Sequence, residues 1–218
     1  MMKIKKIFNI GCLFVGLLFL TNCSSTATVE IDTSFPAVLA EPGVLSAVII
    51  FDDEFASYVG KPNENTLVSI GKAQVNLLKN AFSGLFSSIE FASSIDNLNA
   101  NSGIIITPSV RQIQVSTPSE HYLNVFEVWI KYNLKIETAD GRLIVNWFMP
   151  AYGKTPDAFM ASKSDAIEQA AISALRDAGA KLILDFYRIP SVNNWVIEEQ
   201  ERARQASLQQ PDKSEVSP

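Results

Sequence analysis

The chain has 218 residues, enough for one ordinary domain with additional end segments, and 47% of them are apolar, as in a globular core. Its 18 basic and 23 acidic residues give a net charge of −5 at pH 7. This balance argues against nucleic acid as a partner and against a purely electrostatic attachment to anionic lipid.

Residues 1–22 have the pattern of an export signal. Lys3, Lys5 and Lys6 form a basic start, and the nearly uncharged run Ile7–Leu20 follows. These 14 residues are shorter than the roughly 20 that a permanent membrane-spanning helix needs. We therefore predict that the segment directs export and is then removed.

The end of this segment, Leu20-Thr21-Asn22-Cys23, resembles the lipobox of bacterial lipoproteins. The resemblance implies cleavage after Asn22 and acylation of the Cys23 thiol, and the alternative is a plain signal peptide cleaved nearby. Two or three acyl chains would hold a protein durably on a bilayer. Ser24 and Ser25 stand where an aspartate would imply retention at the inner membrane, so the resemblance implies transfer to the outer membrane, and we expect the protein on its periplasmic face.

After cleavage the chain would hold 15 basic and 23 acidic residues, a net charge of −8. Cys12 would be lost with the signal segment, so we expect no disulfide. Residues 23–42 are rich in Ser, Thr, Ala and Pro, and we predict a tether that holds a folded domain, residues 43–197, off the lipid surface.

The first half of the domain reads as strand, loop, helix and strand. The β-branched run Val44–Phe51 predicts a central strand. Residues 55–65 contain Gly60 and Pro62 and predict a loop, and apolar spacings of three and four predict a helix over 67–86. A short strand is expected at Ile89–Ser93.

Two strand patterns follow. Gly103–Ser116 changes its apolar parity after Pro108, which predicts a bulge between Pro108 and Gln112. From Tyr122 to Met149 strict alternation surrounds Asp140-Gly141, a pair typical of a two-residue type I′ turn that would place Ala139 opposite Arg142. The resulting register pairs Ile136 with Val145, Leu134 with Trp147, Tyr132 with Met149, Lys135 with Asn146, and Asn133 with Phe148.

The end of the domain predicts a second helix. Residues 150–161 are expected to leave the sheet, and Ser162-Lys-Ser-Asp165 matches a capping box. The following apolar stripe contains four alanines, which predicts close packing against the sheet. We expect Trp195 to return to the core edge and residues 198–218 to form at most a frayed helix followed by disorder. The predicted fold is α+β, a curved antiparallel sheet with two amphipathic helices on one face.

The domain also resembles a group of uncharacterised proteobacterial outer-membrane lipoproteins. The residues that carry this resemblance are Trp129-Ile-Lys-Tyr132, Asp140-Gly141, Trp147, Ala151-Tyr152-Gly153, Ala174–Ala178, Ala180, Pro190, Val192 and Trp195. The order of elements is similar to that of small envelope lipoproteins of the YajG and LptE kind. The resemblance implies a fold and no active-site residues.

Catalytic and metal chemistry have little support in the sequence. Ser119-Glu120-His121 contains the chain's one histidine, but a hydrolytic triad is assembled from separate elements, and we favour a solvated turn. The mature chain would have one Cys and one His, too few for a zinc site. We expect no catalytic residues, no metal and no cofactor, with an envelope hydrolase as the weakest alternative.

Binding is the stronger hypothesis. Trp129 and Phe148 fall on the predicted outer face of the hairpin among charged residues, as in many partner-binding patches. Alternatively, the C-terminal segment covers them, through Trp195. A lipid or small-molecule carrier is the other alternative, although the alanine stripe leaves little room for a ligand. The sequence therefore predicts a non-catalytic lipoprotein, bound to the bilayer through Cys23 and to an envelope protein through Trp129 and Phe148, that assists envelope assembly or transport.

Overall fold

The computed structural model describes residues 27–37, 43–95, 103–120 and 123–209. The strands in these ranges are β1 (Ala27–Glu30), β2 (Gly43–Ile50), β3 (Val59–Asn63), β4 (Thr66–Ser69), β5 (Phe86–Ala92), β6 (Ile104–Ser116), β7 (Val125–Thr138) and β8 (Leu143–Pro156). The α-helices are α1 (Asp53–Ala56), α2 (Gly71–Ser83), α3 (Lys163–Asp185) and α4 (Pro190–Gln209). The predicted α+β class is confirmed.

The main sheet has five strands in the order β5-β2-β6-β7-β8. Its last three strands are antiparallel, as predicted, but β2 runs parallel to both β5 and β6. The prediction of a purely antiparallel sheet is therefore wrong for this half. Helix α2 lies between β2 and β5 in the chain, and a strand–helix–strand connection returns the chain in the same direction.

Helices α2 and α3 and the main sheet share one apolar core. The alanine stripe of α3 packs closely on β8, as predicted. A Cβ added to Gly153 of β8 would lie 2.1 Å from the Ala170 carbonyl oxygen and 2.3 Å from the Ala174 nitrogen. Glycine at this position therefore sets the short distance between helix and strand. The predicted helix cap also forms, because the Ser162 hydroxyl accepts a hydrogen bond from the Asp165 amide at 3.1 Å.

The register of the β7–β8 hairpin is as predicted, but its turn is not. All five predicted pairs are observed, from Ile136 with Val145 to Asn133 with Phe148. In the described residues only glycines have positive φ, so Asp140 does not, and a type I′ turn is excluded. Instead, the Thr138 amide donates a hydrogen bond to the Arg142 carbonyl at 2.9 Å. This bond closes a three-residue loop in which Gly141 has a φ of +84°. A register shift next to Ile136 compensates for the extra loop residue and restores the pairs beyond it.

Strand β6 contains the predicted irregularity, a register shift between Val110 and Gln112. Strand β3 crosses this strand closely, since a Cβ on Gly60 would lie 1.8 Å from the Ile113 Cγ2 atom. The loop predicted for 55–65 is therefore wrong over β3, which pairs with β4. The helix predicted from residue 67 begins later, at Gly71.

The predicted tether is wrong over residues 27–37, because this segment belongs to the folded domain. Strand β1 pairs in parallel with β4, and Val29, Ile31 and Phe35 are buried in the core. Two side chains of α2 hold the backbone of Phe35. Asn76 accepts from its amide at 3.0 Å, and Asn80 donates to its carbonyl at 2.6 Å. Residues 38–42 lie outside the described residues.

The C-terminal part also differs from its prediction. From residue 198 we expected at most a frayed helix, whereas helix α4 continues without a break to Gln209. Residues 210–218 lie outside the described residues. Trp195 on this helix is buried in the core, as predicted. Strand β8 continues to Pro156, although residues 150–161 were expected to leave the sheet.

Candidate partner-binding face

The two residues predicted to bind a partner lie on the outer face of the β7–β8 hairpin. Along β7 buried and more accessible residues alternate, so that Trp129 and Asn133 point away from the helices. Phe148 is paired with Asn133 on the neighbouring strand. Trp129 is 40% exposed and Phe148 is 52% exposed. These fractions are large for aromatic residues on a well-ordered sheet.

Two residues that the sequence did not predict join Trp129 and Phe148. Tyr152 is paired with Trp129 across the hairpin, and their ring centroids are 4.3 Å apart. Pro150 lies between Tyr152 and Phe148 on the same side of β8 and is exposed. We call these four residues, Trp129, Phe148, Pro150 and Tyr152, the aromatic face. Strand spacing gives the face a length of about 13 Å along the hairpin.

A hydrogen bond fixes one end of the aromatic face. The Tyr152 hydroxyl donates to the Glu127 carboxylate at 2.6 Å. This bond and the partial burial of the ring raise the pKa of Tyr152 to about 12. The phenol therefore stays protonated at neutral pH and holds the ring against Trp129.

Charged residues on β7 surround the aromatic face. Lys131 donates to the Gln112 side chain at 2.8 Å, and Lys135 forms a salt bridge of 2.7 Å with Glu137. These pairs lie at the surface, so they contribute little to stability. Aromatic side chains beside charged residues are typical of interfaces between proteins.

The exposed edge of β8 behind the aromatic face is held by helix α3. Asp177 accepts from the Tyr152 amide at 2.9 Å, and Lys181 donates to the Pro150 carbonyl at 2.7 Å. Asp177 and Lys181 also pair with each other at 2.7 Å. Two backbone groups of this edge, the Tyr152 amide and the Pro150 carbonyl, are therefore satisfied by side chains of α3, which supports the strand behind the aromatic face.

Helix α4, the last segment of the described residues, does not cover the aromatic face. Trp195, the predicted cover, is only 4% exposed and lies in the core with Val192 and Phe186. Trp129 and Phe148 stay exposed in the presence of α4. The alternative in which Trp195 covers them within the same chain is therefore wrong.

The other predicted site residues are placed as follows. Cys23 and His121 lie outside the described residues. Ser119 and Glu120 serve the turn that they form, because Glu120 accepts from the Thr117 amide at 2.5 Å and the Ser119 hydroxyl lies 2.8 Å from that of Thr117. Among the described residues, no three His, Cys, Asp or Glu side chains are grouped as metal ligands would be.

No helix within the described ranges has the length and apolar composition needed to cross a bilayer.

The space between α3 and the sheet is filled. Ala170, Ala171, Ala174 and Ala178 are fully buried, and at Gly153 there is no room even for one additional carbon. A ligand of lipid size needs a cavity of about 300 Å³ or more. The contact between α3 and β8 therefore cannot hold such a ligand.

Comparisons with known proteins give the following results. No family model matches this sequence, and no curated protein matches it. Among solved structures, the fold is similar to that of a DUF330 protein of Xanthomonas campestris, with 12% identity and a TM-score of 0.47, over 82% of this chain and 99% of the other. It is also similar to a minor lipoprotein of Acinetobacter baumannii, with 12% identity and a TM-score of 0.41, over 73% of this chain and 96% of the other. Both TM-scores are below 0.5, so these likenesses carry no argument about function.

Proposed function

We propose that this chain is a lipoprotein of the bacterial envelope that binds a protein partner through the aromatic face and performs no catalysis itself. Acylated Cys23 anchors it to the periplasmic face of the outer membrane. The bound partner belongs to the assembly or transport machinery of the envelope, in keeping with the resemblance to small lipoproteins of the YajG and LptE kind.

The observation that carries the proposal is the exposure of Trp129 and Phe148 on a fully paired hairpin. Aromatic residues bury a large area with few rotatable bonds, so they dominate the binding energy of many interfaces. Here the hydrogen bond between Tyr152 and Glu127 and the support from α3 fix the positions of the rings before binding. A preformed surface binds at a lower entropic cost than a mobile one.

Two further functions have weaker support. A carrier would need space beneath the helices, and the contact of Gly153 with α3 leaves none there. A hydrolase would need Ser119 and Glu120 to be available for chemistry, whereas both bond to Thr117 within their own turn. We therefore favour binding over both alternatives.

Site-specific photocrosslinking in intact cells tests the proposal. A photoreactive amino acid is placed at Phe148 and, as a matched control, at Ile95, which is 54% exposed and follows β5 at the opposite edge of the main sheet. We expect a discrete crosslinked product from position 148 and none from position 95. The second substitution Trp129→Ala, which removes a ring of the same face, should abolish the product. Identical products from both positions, or a product that survives Trp129→Ala, would contradict the proposal.

A further inference from the structure

The folded domain begins very close to the proposed lipid attachment site. Only Ser24, Ser25 and Thr26 separate Cys23 from Ala27, the first residue of β1. An extended chain covers at most about 3.5 Å per residue, so Ala27 lies within about 14 Å of the Cα atom of Cys23. The Ala27 amide donates to the Asn65 carbonyl at 2.9 Å, which fixes this first residue to the β3–β4 turn.

Ala27 lines a surface cleft of about 600 Å³. The β3–β4 turn forms one wall with Glu64 and Asn65, and the turn after β6 forms another with Ser119 and Glu120. Lys163, the first residue of α3, also lines the cleft. The lining therefore carries charges of both signs, which suits a layer of lipid headgroups containing phosphates and amines.

Other elements place this cleft at one end of the domain. Strand β6 ends beside it at Ser116, which pairs with Glu127 near the start of β7. Val125, the first residue of β7, pairs with Pro156, the last residue of β8. At the opposite end of the hairpin lies the turn at Gly141, and a 14-residue strand such as β7 is about 45 Å long.

We infer that the cleft end of the domain faces the phospholipid bilayer, which is the partner of this surface. The inference rests on the proposed acylation of Cys23. The connection of three residues holds Ala27 and the cleft next to the headgroups, and the β7–β8 hairpin points away from the membrane. The aromatic face then lies on the side of the domain, accessible to a partner in the periplasm.

The two ends of α3 allow a direct test. Lys163 lines the cleft, Leu184 is exposed near the other end, and a rise of 1.5 Å per residue separates them by about 32 Å. Acylation occupies the thiol of Cys23, and Cys12 leaves with the signal segment, so a new cysteine is the only free thiol of the mature protein. The variants Lys163→Cys and Leu184→Cys are each labelled with the same fluorophore.

The labelled, acylated proteins are reconstituted into vesicles of phosphatidylethanolamine and phosphatidylglycerol that contain a lipid with a nitroxide on its headgroup. We expect at least threefold stronger quenching at position 163 than at position 184. Equal quenching at the two positions, or stronger quenching at position 184, would overturn the inferred orientation.

Two controls distinguish a failure of the lipid anchor from a failure of the inferred orientation. Protein that does not float with the vesicles would contradict the anchor itself, whereas protein that floats but is quenched equally at both positions would contradict only the orientation. Inserting 20 Gly and Ser residues between Ser25 and Thr26 gives a linker with an r.m.s. length of about 25 Å. This insertion should remove the difference in quenching. A difference that persists would overturn the short connection as the cause of the orientation.

Discussion

The two faces of the β7–β8 hairpin share one backbone and one register but have opposite surroundings. On the inner face Tyr132, Leu134 and Ile136 are fully buried beneath the helices. On the outer face Trp129 and Phe148 are exposed. Backbone pairing is common to both faces, so the difference lies in the side chains and in the helices, which cover only the inner face. We expect the inner face to determine the stability of the fold, and we propose the outer face for recognition.

The close contact between Gly153 and helix α3 on the inner face predicts the largest effect on stability. We expect Gly153→Val to destabilise the protein by more than about 3 kcal/mol, because its Cβ would overlap the backbone of α3 at Ala170 and Ala174. Urea unfolding or the yield of soluble protein measures this. Gly141→Asn is the matched control on the same hairpin. Nothing lies within 4 Å of a Cβ there, and asparagine tolerates positive φ, so its cost should stay below about 1 kcal/mol. Similar costs at the two glycines would contradict the close helix–strand contact.

The buried polar group of the inner face predicts an intermediate effect. The Tyr132 hydroxyl donates to the Gln74 side-chain oxygen at 3.1 Å, and the Gln74 amide donates to the Phe55 carbonyl at 2.7 Å. Tyr132→Phe should cost about 1–3 kcal/mol, because it leaves the buried Gln74 oxygen without its donor. A double-mutant cycle with Gln74→Leu, measured by urea unfolding, should reveal coupling between the two positions. Additive costs would contradict this hydrogen bond.

The outer face predicts a small effect on stability. Phe148→Ser should lower the free energy of unfolding by no more than about 1.5 kcal/mol, because the residue is already 52% exposed and a fully buried Phe side chain contributes about twice that. The same substitution should abolish the photocrosslink formed from a neighbouring position such as Asn146. A loss of several kcal/mol on urea unfolding would assign Phe148 to the core and remove it from the aromatic face.

The smallest predicted effect is the pH dependence of the Tyr152–Glu127 bond. The pKa of Tyr152 is raised to about 12 in the folded protein, against an ordinary value near 10. Its stabilising contribution is therefore complete below about pH 10 and is lost as the pH rises from there towards 12. The difference in unfolding free energy between the wild type and Tyr152→Phe should shrink over this range. A difference that stays constant to pH 12 would show that the phenol is not bonded to the carboxylate.

Local patterns predicted the hairpin well, because both of its strands are adjacent in sequence and alternate strictly. The turn was mispredicted because Asp140-Gly141 also suits the three-residue loop. A compensating register shift near Ile136 leaves the residue pairs beyond it as predicted. Tyr152 was missed because Pro150 was taken to end the strand. Strand β8 is at the edge of the sheet, where the missing N–H of proline needs no partner.

The errors at the beginning of the domain have a different origin. Strand β1 is short and pairs with β4, which follows more than 30 residues later, so no local pattern identifies it. Strand β3 belongs to a second sheet of three strands, in the order β1-β4-β3, and its Gly60 gives the space for the close contact with Ile113 of the main sheet. Both features depend on tertiary contacts. The exposure of Trp129 and Phe148 was predictable because it depends on alternation, whereas the position of Tyr152 beside Trp129 depends on how far β8 continues in the sheet.

The most direct test of the account is the lipid attachment itself. The wild type and Cys23→Ser are expressed in bacterial cells with radiolabelled palmitate, and the membranes are then separated from the soluble fraction. The account predicts label and membrane association for the wild type and neither for Cys23→Ser. A wild type without label, or a Cys23→Ser protein that fractionates with the membranes as the wild type does, would contradict it.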